Sequence, residues 1–195
     1  HVLCHDLVNP FASVISALEL IETSEQSKEL KHEATNIAYK GLDIIDLVRK
    51  MRAIEDGKMQ LELHELNLLK IVNESLLILR NRISEKNINI DINIGQSEIV
   101  AAESTSLVNS VINNILTNAI KFSYPSSTIK IFSKKKNGIL NLVIADNGIG
   151  MSEKLLKDIF NMSKATSRPG TSGEGGTGYG MPLVKKFMNS YGGDI

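Results

Sequence analysis

Apolar residues recur along the first fifty positions with the period of a helix. Leu7, Phe11, Val14, Leu18 and Ile21 follow 4-3-4-3 spacing, the seam of a helix that packs lengthwise on others. A polar stretch, Thr23 to Lys28, interrupts the pattern. It returns in Leu30, Ala34, Ile37, Gly41, Ile44, Val48 and Met51. Gly41 weakens a helix by roughly 1 kcal/mol against alanine, so that position points to close packing or flexibility. Two such helices joined by a short turn form a hairpin that buries its stripe poorly alone. A dimeric four-helix bundle buries it economically; packing on the rest of the same chain is the other solution. Glu55-Asp56-Gly57-Lys58 closes the region with a turn signal.

Beyond that turn the pattern becomes mixed. Leu68 to Ile83 reads as a helix, Ile88 to Ile94 alternates as a half-buried strand, and Leu107 to Phe122 is helical again. Thr128 to Phe132 and Leu140 to Ala145 read as strands flanking a turn at Lys134 to Gly138, which puts the basic run Lys134-Lys135-Lys136 at a hairpin tip. A glycine-rich loop, Arg168 to Gly180, leads into a last helix from Pro182 to Tyr191. The organisation is therefore multidomain: an all-α hairpin over 1–58, a mobile link over 59–66, and an α/β domain over 67–195.

Charge and cysteine content narrow the setting. The 22 basic and 22 acidic residues cancel, so no general field favours nucleic acid or an acidic membrane. A single cysteine, Cys4, rules out an internal disulfide framework and fits a reducing compartment. Apolar runs are too short to cross a bilayer and no signal peptide stands at the front. The chain reads as a soluble cytoplasmic fragment, with membrane attachment only through regions outside it.

Four constellations carry chemistry. His5 opens His5-Asp6-Leu7-Val8-Asn9-Pro10, and at 100° per residue both His5 and Asn9 fall about 160° from the helix seam, facing solvent. Pro10 removes the helix partner of the Asp6 carbonyl and bends the helix there. Asp6 is placed to accept a proton from one ring nitrogen and leave the other nucleophilic. Asn114, Asn118 and Lys121 share one helix face at i, i+4, i+7, with Val108, Val111, Ile112, Ile115, Leu116 and Ala119 filling the core side. Two amide oxygens and an ammonium suit Mg²⁺ carrying phosphates. Asp146, at a strand end within Ala145-Asp146-Asn147-Gly148-Ile149-Gly150-Met151, offers a carboxylate to an exocyclic amine such as that of adenine. Gly173 to Met181 opens a helix with bare backbone amides, which suits phosphate oxygens. Neither a P-loop nor a dinucleotide fingerprint is present there. Lys164 and Arg168 precede it, in a loop placed to fold over a bound nucleotide as a lid.

With these motifs in this order, the chain resembles a sensor histidine kinase of two-component signalling. The family's H-box matches His5 to Pro10, its N-box Asn114 to Ser123, and its G1 box Asp146 to Gly150. Its F-box matches Ile159-Phe160, and its G2 box Gly176 to Met181. The resemblance implies that residues 1–58 dimerise and carry the phosphorylated His5, with Asp6 as acid–base partner. It implies a following α/β sandwich ATP-binding domain of the gyrase, chaperone and histidine-kinase type. Asn118 with Asn114 would hold Mg²⁺, Lys121 would touch phosphate, and Asp146 would read adenine, with Gly148 and Gly150 shaping the turn. Phe122 and Met151 would lie near the base or sugar. Gly176, Thr177, Gly178 and Gly180 would line the phosphates, flanked by Tyr179 and Met181. Tyr179 stands where the family more often has leucine, the F-box lacks its second aromatic, and the closing strands expected after Gly193 are absent.

The expected activity is autophosphorylation of His5 from ATP and transfer to an aspartate of a response regulator receiver domain, within a homodimer. A hydrolase of the same superfamily would place a glutamate where this chain has Asn114, which accepts no proton at neutral pH. Asn9, one turn after His5, is placed to orient water against an acyl phosphate, which adds a phosphatase activity. A degenerate dimeric scaffold is the reading from a different class.

Overall fold

The computed structural model describes residues 61–164 and 166–195, together with Ser13, Val14, Ser16, Ala34, Ala38 and Gly41, all six helical. The chain divides into two compact units, His1–Lys58 and Met59–Ile195. Most of the first lies outside the described residues, and with it the expected hairpin, its dimeric bundle, and the roles expected of His5, Asp6 and Asn9. Among its described positions Ala34 and Gly41 are buried.

The second unit begins with strand β1, His64–Asn67, and helix α1, Leu68–Glu85. Asn67 caps that helix, its side-chain oxygen accepting from the Lys70 amide at 3.0 Å. Strands β2, Asn89–Asn93, and β3, Ile99–Ala102, follow. A single helical run then passes from Ser104–Ser106 through a π-helical stretch, Leu107–Ile112, into α2, Asn113–Phe122. Strands β4, Thr128–Lys136, and β5, Ile139–Ala145, form a hairpin; helices α3, Glu153–Asp158, and α4, Gly180–Ser190, complete the order.

Two sheets result. β1 pairs antiparallel with β3, while β2, β4 and β5 form a mixed sheet in that order, β2 parallel and β5 antiparallel to β4. Helices α1 and α4 each pack on the π-helical stretch and α2, and α2 packs on β5. The core is mostly apolar: Val72 of α1, Leu116 of α2, Ile129 and Ile131 of β4 and Val184 of α4 are fully buried. Alternation along β4 sends Ile129 and Ile131 inward and Lys130 to solvent. This is the α/β sandwich expected of the second domain.

Three details differ from the sequence reading. His64–Leu66 were expected in a link, yet they belong to β1, whose partner β3 lacks an alternating pattern long enough to announce it. Lys134–Lys136 were expected in a turn, yet they pair with Asn141, Leu140 and Ile139. The turn itself is only Asn137-Gly138, with φ of 52° and 78°, the two-residue type that keeps strand twist continuous. The helix expected over Leu107 to Phe122 is π-helical in its first part, with the Asn113 amide bonded to the Val108 carbonyl. The outer edge of β5 has no strand partner among the described residues.

Candidate functional site

A cavity of about 380 Å³ is walled by α2, the end of β5, α3 and the glycine-rich loop. Asn114, Asn118 and Lys121 all line it, as their shared face requires. Asn114 donates its amide NH₂ to the Ser110 carbonyl at 2.8 Å. Its Oδ1 then faces the start of α4, where a Cβ on Gly180 would come within 2.6 Å of it. Lys121 is almost wholly buried, and burial holds its ammonium below the usual lysine range; Glu174 pulls it back up and Arg168 pushes it further down. The ammonium sits 4.7 Å from the Phe122 ring centroid, and the Arg168 guanidinium lies 4.5 Å from the same ring. Arg168 also donates to the Gly150 carbonyl at 2.6 Å. The two cations and the ring thus bring the lid loop, α2 and the turn after β5 to one place.

Asp146 follows β5 directly and lines the cavity, as do Gly150 and the exposed Met151. The turn is held from behind. The Ile149 amide donates to the Phe122 carbonyl at 3.1 Å, and Ser123 bridges to Gly148. A Cβ on Gly148 would stand 2.1 Å from the Phe122 carbonyl oxygen, so only glycine permits this approach.

The glycine-rich loop is stitched to the residues before it. Ser167 donates to the Gly176 carbonyl at 2.6 Å and Thr166 to the Gly178 carbonyl at 3.1 Å. Gly178 has φ of 81°, and a Cβ there would meet the Ser167 amide at 3.0 Å. Gly176, Thr177, Gly178, Gly180 and Met181 all reach the cavity, and the Lys121 ammonium stands 3.0 Å from where a Gly176 Cβ would be.

Three expected residues are not among the walls. Gly148 supports the Asp146 turn from behind instead. Lys164 is exposed, its amide bonded to the Asn161 carbonyl at 3.2 Å in the turn after α3. Tyr179 already has helical φ and ψ at the head of α4, and its amide meets the Thr177 hydroxyl at 3.4 Å. Conversely, Ile115, expected in the core, is half-buried and lines the cavity, joined by Ile144, Leu155 and Ile159 as apolar walls and by Thr166, Ser167 and Gly175. Short apolar segments such as Leu155 to Ile159 carry no period that separates a cavity wall from core. Ser167 and Thr166 gave no signal, since their bonds are to a loop about ten residues away.

The donors suit a nucleotide. Part of the lining is apolar, and a carboxylate, two cations and the glycine-rich loop supply the polar remainder. Among the described residues no three His, Cys, Asp or Glu side chains gather to hold a metal ion. The oxygens of Asn114 and Asn118 suit a hard cation that keeps most of its ligands from phosphate and water.

The family described as histidine kinase-, DNA gyrase B- and HSP90-like ATPase matches residues 103–195, the stretch that supplies every wall of this cavity. Sensor protein KdpD of Clostridium acetobutylicum is 28% identical over 99% of the chain and 22% of its own length. Over nearly its whole length the chain is similar to sensor histidine kinases. It spans between 13% and 54% of the length of the first three curated relatives it matches. Two solved structures share the chain's fold. Histidine kinase AdeS of Acinetobacter baumannii superposes with a TM-score of 0.78 at 17% identity, over 95% of this chain and 86% of that one. Histidine kinase ThkA, solved in complex with response regulator protein TrrA, superposes with a TM-score of 0.72 at 20% identity, over 97% of this chain and 53% of that one. Among the described residues no helix is long and apolar enough to cross a membrane.

Proposed function

We propose that the chain is an ATP-dependent protein-histidine autokinase that phosphorylates His5 and passes the group to an aspartate of a response regulator, acting as a homodimer through residues 1–58. The observation that carries the reading is Asn114. In a hydrolase of this superfamily a carboxylate at that position would take a proton from attacking water. Here the side chain is an amide, and its NH₂ is committed to the Ser110 carbonyl. Such a pocket has no base to activate water at that position, so the γ-phosphoryl group is left for an acceptor brought by the protein.

In this reading Asp146 accepts from the adenine amine, and Ile115, Ile144 and Met151 bracket the base. Asn118 and the free Oδ1 of Asn114 hold Mg²⁺, which neutralises charge on the phosphates when bound. Lys121, Arg168 and the amides of Gly176 to Gly180 orient the phosphates and share that charge. One His5 ring nitrogen attacks the γ-phosphorus in line, the bond to the β–γ bridging oxygen breaks, and ADP leaves. Asp6 takes the ring proton. Asn9 orients a water against the regulator's acyl phosphate, giving the opposite activity.

Incubation with γ-labelled ATP and Mg²⁺ tests this. The expected product is acid-labile, base-stable label on the protein, absent in His5→Gln. In Asn9→Ala that label should persist while dephosphorylation of the regulator is lost. An ATP-binding chain that releases phosphate to water without labelling His5 would sink the proposal.

A further inference from the structure

Lys86 belongs to none of the motifs, yet it is among the few charged side chains buried in this unit. It sits just after α1, and its side chain is only 6% exposed. Its ammonium donates to the Glu174 carboxylate at 2.6 Å and to the Lys121 carbonyl at 2.8 Å. Glu174 lies 88 residues away, inside the glycine-rich loop. The other carboxylate oxygen accepts from the Ser172 amide at 2.8 Å, and the Glu174 carbonyl accepts from the Gly170 amide at 2.9 Å. Thr171 donates its amide to the Lys121 carbonyl at 3.1 Å and its hydroxyl to the Ser123 carbonyl. The segment Gly170 to Glu174 is thus a compact turn clamped to the end of α2, immediately before the glycines that reach the cavity.

The clamp has an electrostatic consequence. Glu174, Lys86 and Lys121 line a second cavity, of about 390 Å³, which shares Thr117, Lys121 and Gly175 with the first. The negative charge of Glu174 acts on Lys121 and favours the charged ammonium. A free carboxylate at that place would compete with phosphate for the same cation, because a close charge-assisted pair is strong where water is excluded. Lys86 supplies the competing cation. Burial opposes ionisation of Glu174, yet the bond from Lys86 and the amide of Ser172 outweigh it and keep the carboxylate charged.

We propose that Lys86 is a positioning residue of the nucleotide site: it holds the Glu174 carboxylate off the Lys121 ammonium, so that Lys121 meets the phosphates unpaired, and it fixes the base of the glycine-rich loop. The inference rests on the reading of the first cavity as the ATP site. A purely structural clamp and a charge-partitioning one differ in what happens when both partners are removed.

The experiment measures Kd for ATP with Mg²⁺ on the full chain and three variants. Lys86→Met should raise Kd by about tenfold, since the released carboxylate turns to Lys121. Lys86→Met with Glu174→Gln should return Kd to within about threefold of the unsubstituted chain, because the competing charge is gone. Glu174→Gln alone should bind ATP at least as tightly as the unsubstituted chain; this arm decides the matter even where Lys86→Met fails to fold. An unchanged Kd in Lys86→Met, a double variant no better than Lys86→Met, or a Glu174→Gln variant weakened beyond about threefold each overturns the inference. Failure of the unsubstituted chain to bind ATP is a different result, and it strikes the proposed function instead.

Discussion

Lys121 is the side chain on which most of the site converges. It is buried, it shares the Phe122 ring with Arg168, and its carbonyl anchors both Lys86 and Thr171. Desolvation is the largest influence on its ammonium and lowers its proton affinity below the usual 10.5. That direction sets the sign of the linkage. A lysine depressed in the fold is charged at a cost, and that cost is relieved as pH rises through its folded pKa. An anionic ligand reverses the preference, since it favours the ammonium. ATP affinity should therefore be constant near neutrality and fall on the alkaline side, beginning below 10.5. Titrating Kd between about pH 7 and 10 should show the loss in the unsubstituted chain and a flat, weaker profile in Lys121→Met. An identical slope in both would remove Lys121 from the phosphate end of the cavity.

At the scale of elements, the sequence announces whatever a local period or a spaced set of polar groups can carry. The i, i+4, i+7 face of Asn114, Asn118 and Lys121 was legible because α2 is regular over that interval. The π-helical stretch before it was not, because Val108, Val111 and Ile112 are apolar in either geometry. Its extra residue rotates the α2 face relative to the preceding turns, and Ile115 ends at the cavity wall rather than in the core. Strand β1 was not legible either: four residues beginning His64-Glu65 alternate too briefly, and the partner β3 lies about 35 residues on. The Lys86 and Glu174 clamp joins two segments that share no spacing at all. The β4–β5 turn was written in the sequence as Asn137-Gly138, but the lysines beside it read as loop. Both turn residues have positive φ, and a Cβ on Gly138 would meet nothing within 4 Å, so glycine is required there by conformation rather than space. Gly138→Val should cost roughly 1–3 kcal/mol in urea unfolding. Kd for ATP should not change, because β5 separates this turn from Asp146 by its full length of 7 residues, on the order of 20 Å. A parallel loss of affinity would mean that the hairpin register, not only its stability, depends on the turn.

At the scale of the molecule, the proposed function gives separate jobs to the two units, His1–Lys58 and Met59–Ile195. Everything that walls the cavity comes from residues 114–181, and the buried side chains around it belong to α1, the π-helical stretch, α2, β4 and α4 of the same unit. Binding of ATP is therefore predicted to be independent of residues 1–58. The proposed function assigns dimerisation to that first region, on the expectation that its 4-3-4-3 seams are completed by a second copy of the chain. The full chain should sediment at twice its 21.4 kDa mass, while residues 59–195 alone should sediment as a monomer, fold, and bind ATP with the same Kd. The truncated piece should transfer no label to itself, having no His5, but it should label a full-length chain disabled by Asn118→Ala if its cavity is intact and can reach that chain's His5. Replacing Leu18 and Ile44 by lysine in the full chain should shift it to the monomer, since each puts a charge on a seam. A monomeric full chain, or a truncated piece that needs residues 1–58 to bind nucleotide, would break this division of labour at its root.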